Sequence, residues 1–518
     1  MSFRSAFFSS VALSALAAPA FAQVTADDIW ASQTRTLSSL GFVVEATPQR
    51  DGATLVMSDV RIVWAVPMGF GEVSITSPDV TMVENGDGSV AISYPDKFRI
   101  SIRADLTIEG ESGSVGADIG IRFDDMTMTA SGTPQAIAYE TRAGLVDVVL
   151  DRLIAEGEAG GPEDIPPVNV ILTLRDLSTS TTITDDGTLQ TVATTSTTGQ
   201  SIFEFSLDDG YGFVSTTVGA VDSSTATSTL ALPATPVDWL NLSTALRNGF
   251  ALESVTDAVG SRQQSVVTMD GTKVSDQSQS AERSSQSLAL SAAGLAMSFG
   301  GEGIRFDMND DMLMPLPVSV SAGEMSTAFA MPVLADTAPQ PVSFSLAIRG
   351  VTVDEQLWGM VDPGAVLPRD PATLAFAIDA QMINRIDLFD IMGWQTFAST
   401  FNGSELPADI VSLDITGVEA SAIGATVSGD GAFTFDSADT TTFPGFPRPQ
   451  GEASVQMTGV YGVLEKLSQL GLLGMEESMG ARAAIGMFAQ ATGDDQLTTT
   501  LSITPDGTLT INGAPIPF

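Results

Sequence analysis

The side chains that most often carry chemistry are missing from this chain, which has 518 residues with no histidine and no cysteine. That composition removes histidine-based triads, cysteine nucleophiles, thiolate or imidazole zinc sites and ordinary haem ligation. What is left is carboxylate and hydroxyl chemistry. Two carboxyls about 5 to 10 Å apart in a cleft could hydrolyse a glycoside, but the acidic residues sit beside glycine in turns or on polar strand faces, and nothing selects a pair. A Ser-Lys nucleophile has only Lys97, Lys273 and Lys466 to draw on. Oxygen ligands for calcium occur at Asp185-Asp186-Gly187 and Asn309-Asp310-Asp311. Neither stretch has the alternating spacing of a calcium loop. The Gly300-Gly301-Glu302-Gly303 run, read as a break in a strand, lacks the lysine and following helix of a phosphate loop. The sequence therefore points to no catalytic, cofactor-binding or metal-ligating residues.

Charge narrows the partners. Lys+Arg 22 against Asp+Glu 63 gives −41, or −42 without residues 1–22, whose only charged side chain is Arg4. Nucleic acid and anionic membranes need a basic footprint, and none is visible. Residues 1–22 read as a cleaved signal peptide: Met1-Ser2-Phe3-Arg4, an apolar run to Ala18, then Ala20-Phe21-Ala22. The expected setting is the periplasm or the cell exterior, with no transmembrane span in the mature chain. Without cysteine, stability must come from burial, which 43% hydrophobic content makes feasible.

The elements are mostly strands. A helix is predicted from the Thr25-Ala26-Asp27-Asp28 cap, through Ile29, Trp30, Leu37 and Leu40, to a stop at Gly41. From Phe42 the period becomes two. In Phe98 to Glu109, Phe98, Ile100, Ile102, Ala104, Leu106 and Ile108 alternate with polar residues, and Val115 to Phe123 repeats the pattern as the second arm of a hairpin. Ala143 to Glu158 fits either period and is assigned to strand from its context. Pro233 to Pro236 marks a boundary followed by a helix over Val237 to Asn248, dividing the chain into β-rich subdomains 23–235 and 236–518. Asp354 to Met360 forms a helical turn, and a terminal hairpin closes the chain around Pro505-Asp506-Gly507.

Residues 459–490 form a pair of helices joined by Gly471-Leu472-Leu473-Gly474. Tyr461, Leu464, Leu467 and Leu470 make the oily stripe of the first, while Met475, Met479, Met487 and Phe488 mark the second. These eight residues are the candidate groove or cap, since thioethers fill irregular apolar space.

The fold class is mainly β with a few helices: long, curved antiparallel sheet or sheets, sandwich or half-barrel-like, with the C-terminal helix pair packed on the sheet. Trp358-Gly359-Met360-Val361-Asp362-Pro363, Leu367-Pro368-Arg369-Asp370-Pro371-Ala372-Thr373-Leu374, Gly424 to Gly431, and Gly459 to Leu473 with the terminal hairpin resemble the alphaproteobacterial envelope family catalogued as domain of unknown function 2125. The resemblance extends over most of the mature chain and implies an exported β-rich protein without assigned catalytic residues. Long one-sided strands with few helices to cover them leave an apolar surface to account for. The reading is a non-enzymatic envelope protein that binds a lipid or other hydrophobic ligand in an apolar groove. The alternatives are a periplasmic scaffold for envelope protein partners with a filled interior, and a carboxylate-based hydrolase.

Overall fold

A computed structural model describes residues 23–108, 111–157, 166–310, 314–401, 406–443 and 446–516. Residues 1–22, read from sequence as a signal peptide, lie outside these residues, as do Asp311 and the tip of the first long hairpin. The strands of the N-terminal half are β1 (Val43–Asp51), β2 (Thr54–Val66), β3 (Gly71–Glu84), β4 (Val90–Ser93), β5 (Lys97–Ile108), β6 (Glu111–Asp124), β7 (Thr127–Thr133), β8 (Ala136–Gly157), β9 (Val168–Asp185), β10 (Leu189–Thr198), β11 (Ser201–Asp208), β12 (Phe213–Val221) and β13 (Ser223–Pro233). The rest are β14 (Ala251–Met269), β15 (Thr272–Ser291), β16 (Gly294–Asp310), β17 (Met314–Met331), β18 (Gln340–Val353), β19 (Ala372–Asn384), β20 (Ala408–Ala422), β21 (Ala425–Asp436), β22 (Arg448–Thr458), β23 (Gln490–Gly493), β24 (Gln496–Ile503), β25 (Leu509–Ile511) and β26 (Ala514–Pro515). The helices are α1 (Ala26–Ser39), α2 (Leu242–Arg247), α3 (Glu355–Val361), α4 (Ile391–Thr400), α5 (Val460–Gln469) and α6 (Met475–Phe488).

All the strands join one antiparallel sheet, from β14 to β22 a meander in which each strand pairs with the next. Local hairpin turns explain the order: Asp270-Gly271 returns β14 into β15 with Gly271 at φ +74°, a conformation open to glycine without steric cost. The sheet runs without interruption across 233–236, because β13 pairs with both β10 and β14. Ala143 to Glu158 falls in β8, a strand of 22 residues. The Gly300–Gly303 run is no break: β16 passes through it, and Gly303 at φ +59° kinks the strand between the Glu302–Glu324 and Ile304–Ala322 pairs without shifting their register. Gly260 at φ +67° and Gly350 at φ +68° take the same left-handed backbone conformation within β14 and β18.

The helices cover only part of the sheet. Thr25 and Asp28 form a capping box at the start of α1, as their types and spacing predict. That helix seals a core containing Ile29, Met57, Val80, Met82, Val90, Ile137 and Ile183. A second core joins Leu232, Val237, Leu246, Phe250 and Val333. The helix expected over Val237 to Asn248 shrinks to Leu242–Arg247, because the segment before it is used otherwise: Val237 donates its N–H to Ser39 O at 2.8 Å and Trp239 donates Nε1–H to Leu40 O at 2.9 Å. Large apolar side chains of the sheet, Phe299, Met325 and Leu374 among them, stay exposed, so part of the sheet has no second layer upon it.

Candidate functional site

In an antiparallel sheet, directly opposed residues share a face, so the pairing register can be followed from strand to strand. One line runs Val90, Ala130, Tyr139, Thr181, Thr194, Ser228, Ser254, Leu288, Met297, Phe329, Phe344, Ile378, Ile415, Gly431, Ala453, Leu501 and Ile511. Its first three members are buried in the core beneath α1. From Leu288 onward the line is almost wholly apolar, and from there to Ile415 each member is only half-buried. Eight strand spacings from Leu288 to Leu501 make this stretch roughly 38 Å long.

The neighbouring lines have the same character. Met325, Ile348, Leu374, Ala420, Val427, Met457 and Leu497 are opposed in turn across β17 to β24. Phe299 and Leu374 remain 52% and 45% exposed. The Phe344 and Phe376 rings lie 5.8 Å apart, centroid to centroid. Ile348, Val351, Leu374, Ala420 and Val427 line a depression of about 390 Å³. On the far side of the positive-φ glycines another line passes through Phe98, Ile121, Val148, Leu172, Phe203, Gly219, Gln263, Gln279, Phe306, Val320 and Val353. It meets a second depression of about 370 Å³ at Leu172, Phe203 and Gly219.

The opposite face is polar and ion-paired. Arg283 binds Glu302 at 2.7 Å, and Arg349 binds Glu419 at 2.6 Å. Asp118, 3% exposed, accepts hydrogen bonds from Arg103 and Arg152, both at 2.7 Å, and from Ser101 at 2.9 Å. Burial by itself would raise its pKa. The two guanidinium groups and the hydroxyl outweigh that and hold it at about 2. Asp118 is thus an ionised tie between strands.

The helix-pair candidates lie elsewhere. Tyr461, Leu464, Leu467 and Leu470 are half-buried on α5, which touches β21. Met475 and Met487 are 80% and 74% exposed on α6, and Met479 and Phe488 are exposed beside them. None of the eight lines either depression. Gly459 starts α5 without a side chain to cap it, and Asp495 supplies the cap from beyond α6, accepting the Tyr461 and Gly462 N–H groups at 2.9 and 2.8 Å. At the calcium candidates, Asp185 pairs with Arg35, and Asp186 accepts three hydrogen bonds from Thr188 and Leu189. Among the described residues no group of three acidic side chains is placed to hold a metal.

A family described as an uncharacterized protein conserved in bacteria, domain of unknown function 2125, matches residues 216–517, more than half of the chain. The chain belongs to this family. The matched span starts in β12 and takes in the uncovered apolar lines of β15 to β24. It includes the Trp358 to Leu374 corner, where Asp362 is fully buried and accepts the Val366 and Leu367 N–H groups at 2.9 and 2.7 Å. Arg369 stacks over Trp358 at 5.5 Å. Those motifs lock a turn. The family description is limited to bacteria and goes no further in taxonomy or location, and the first 215 residues lie outside the match. No curated protein matches the chain.

Proposed function

We propose that this is a non-enzymatic envelope protein that holds the hydrocarbon part of a lipid, or a similar elongated apolar ligand, along the uncovered face of β15 to β22. One observation carries the reading: side chains such as Met297, Phe329, Phe344, Leu346, Phe376, Ile378 and Ile415 form a continuous apolar surface that no helix or second sheet among the described residues covers. An apolar strip of that length costs free energy in water at about 25 cal/mol per Å², and monomers seldom expose such patches without a use for them. The strip, at roughly 34 Å over the seven spacings from β15 to β22, exceeds the ~30 Å hydrocarbon thickness of a bilayer, so a whole acyl chain fits along it. Among the described residues no helix is long and apolar enough to cross a membrane. The leader-like residues 1–22 support export to the periplasm, which N-terminal sequencing of the mature protein beginning at Gln23 would establish.

The test is solvent extraction and native mass spectrometry of protein purified without detergent from an envelope fraction. Co-purifying lipid at a stoichiometric level supports the reading. A ligand-free chain whose apolar face is covered by a partner protein contradicts it and favours the scaffold.

A further inference from the structure

A different cavity, of about 360 Å³, lies between α1 and the sheet. Trp30, Thr34 and Leu37 reach it from one stripe of the helix, at spacings of four and three residues. Val44, Val60, Ile62, Ile75 and Phe98 reach it from β1, β2, β3 and β5. The lining contains no charged side chain. Its volume is at the lower end of the ~300–1,000 Å³ common for small-molecule sites.

The polar groups in this lining differ in how they are satisfied. Thr36 donates to Gln190 at 2.7 Å. The hydroxyls of Thr34 and Ser77 are buried and have no partner in the protein. A buried hydroxyl left unmade is unfavourable, whereas a ligand group that bonds to it recovers the loss. Two such hydroxyls in an apolar, uncharged chamber select for one small polar group on an otherwise hydrocarbon molecule.

We propose that the cavity beneath α1 binds a small neutral amphiphile, with a hydroxyl or ester head at Thr34 and Ser77 and a hydrocarbon tail among Trp30, Val44, Ile62, Ile75 and Phe98. The site is separate from the uncovered strip of β15 to β22 and stands whether or not that strip holds lipid. A carboxylate or phosphate head is disfavoured, because the lining offers no cation to offset its desolvation.

The experiment titrates the full chain, without detergent, with 1-decanol, decane and decanoate. It follows melting temperature and tryptophan fluorescence, with Trp30→Phe to assign the signal. Saturable binding of 1-decanol, at least tenfold tighter than decane and decanoate and seen through Trp30, is the expected result. In the double variant T34V/S77V the preference for 1-decanol over decane should disappear while hydrocarbon binding remains. Ile62→Trp, which fills the chamber, should abolish both, and the double variant decides the matter even where that replacement fails to fold. Three results overturn the proposal: no saturable binding, an unchanged preference in T34V/S77V, or 1-decanol binding lost in Phe344→Asp and kept in Ile62→Trp. The last would move the probe to the uncovered strip.

Discussion

Phe344→Asp separates an uncovered apolar face from an ordinary core. Phe344 sits mid-strip, half-buried, opposite Phe329 and Ile378 and with its ring 5.8 Å from that of Phe376. Full burial of such a side chain contributes about 1.5–3 kcal/mol, so half-burial contributes about 1–1.5. The ring pair adds about 0.5–1.5 kcal/mol. The loss should be about 2 kcal/mol, since the new carboxylate can remain in water. Leu246→Asp is the contrast: that side chain is 1% exposed in the second core, and the change should cost at least about 4 kcal/mol through the lost burial and the unpaired charge. Urea denaturation supplies both numbers, and diphenylhexatriene, a rod-shaped hydrocarbon that fluoresces in apolar surroundings, reports on the strip. Phe344→Asp should keep a cooperative transition and lose most of the dye signal. Unfolding as severe as that of Leu246→Asp would mean that another layer covers the face in solution, leaving no open apolar strip for a ligand.

Acid should weaken the sheet through Asp118. Its carboxyl is at about 2 in the folded chain against 3.8 unfolded, so its contribution is fully present above pH 3.8 and is lost as pH falls through 2. The amount is about 2 kcal/mol, and urea midpoints at pH 5 and pH 2.5 should converge between wild type and Asp118→Asn. Asp495→Ala removes the remote cap of α5 and should cost about 1 kcal/mol, with faster hydrogen exchange confined to α5 and α6. Leu467→Asp, on a half-buried stripe, should loosen the same helix pair and leave the transition of β14 to β20 in place; a global collapse would restore the helix pair as a cap on which the whole sheet depends. Gly303→Val should disturb β16 by more than 1 kcal/mol, because φ +59° is hostile to a branched side chain, and circular dichroism melting would register it.

Much of the fold is legible locally. Alternation over Phe98 to Glu109 identifies β5, the Thr25/Asp28 pair starts α1, and the oily stripe of 460–470 identifies α5. Helix α4 escapes a reading by charge and period because its ten residues carry no charged side chain, although the Asp390 cap preceding it was a usable signal. The apolar strip is hidden for a different reason. It exists only through register, and positive-φ glycines change which residues point inward: Leu295, Met297 and Phe299 give way to Ile304, Phe306 and Met308 across Gly303. No window of sequence contains that information. The methionines of α6 drew attention as cavity formers because composition reports softness and says nothing of direction.

The proposed lipid-binding role turns on what touches Phe344 in the cell. A photo-crosslinking residue placed there, activated in intact envelopes and followed by mass spectrometry, should attach to lipid hydrocarbon, with the same residue at Asp379 on the polar face giving none. Crosslinks from position 344 to protein alone would contradict it.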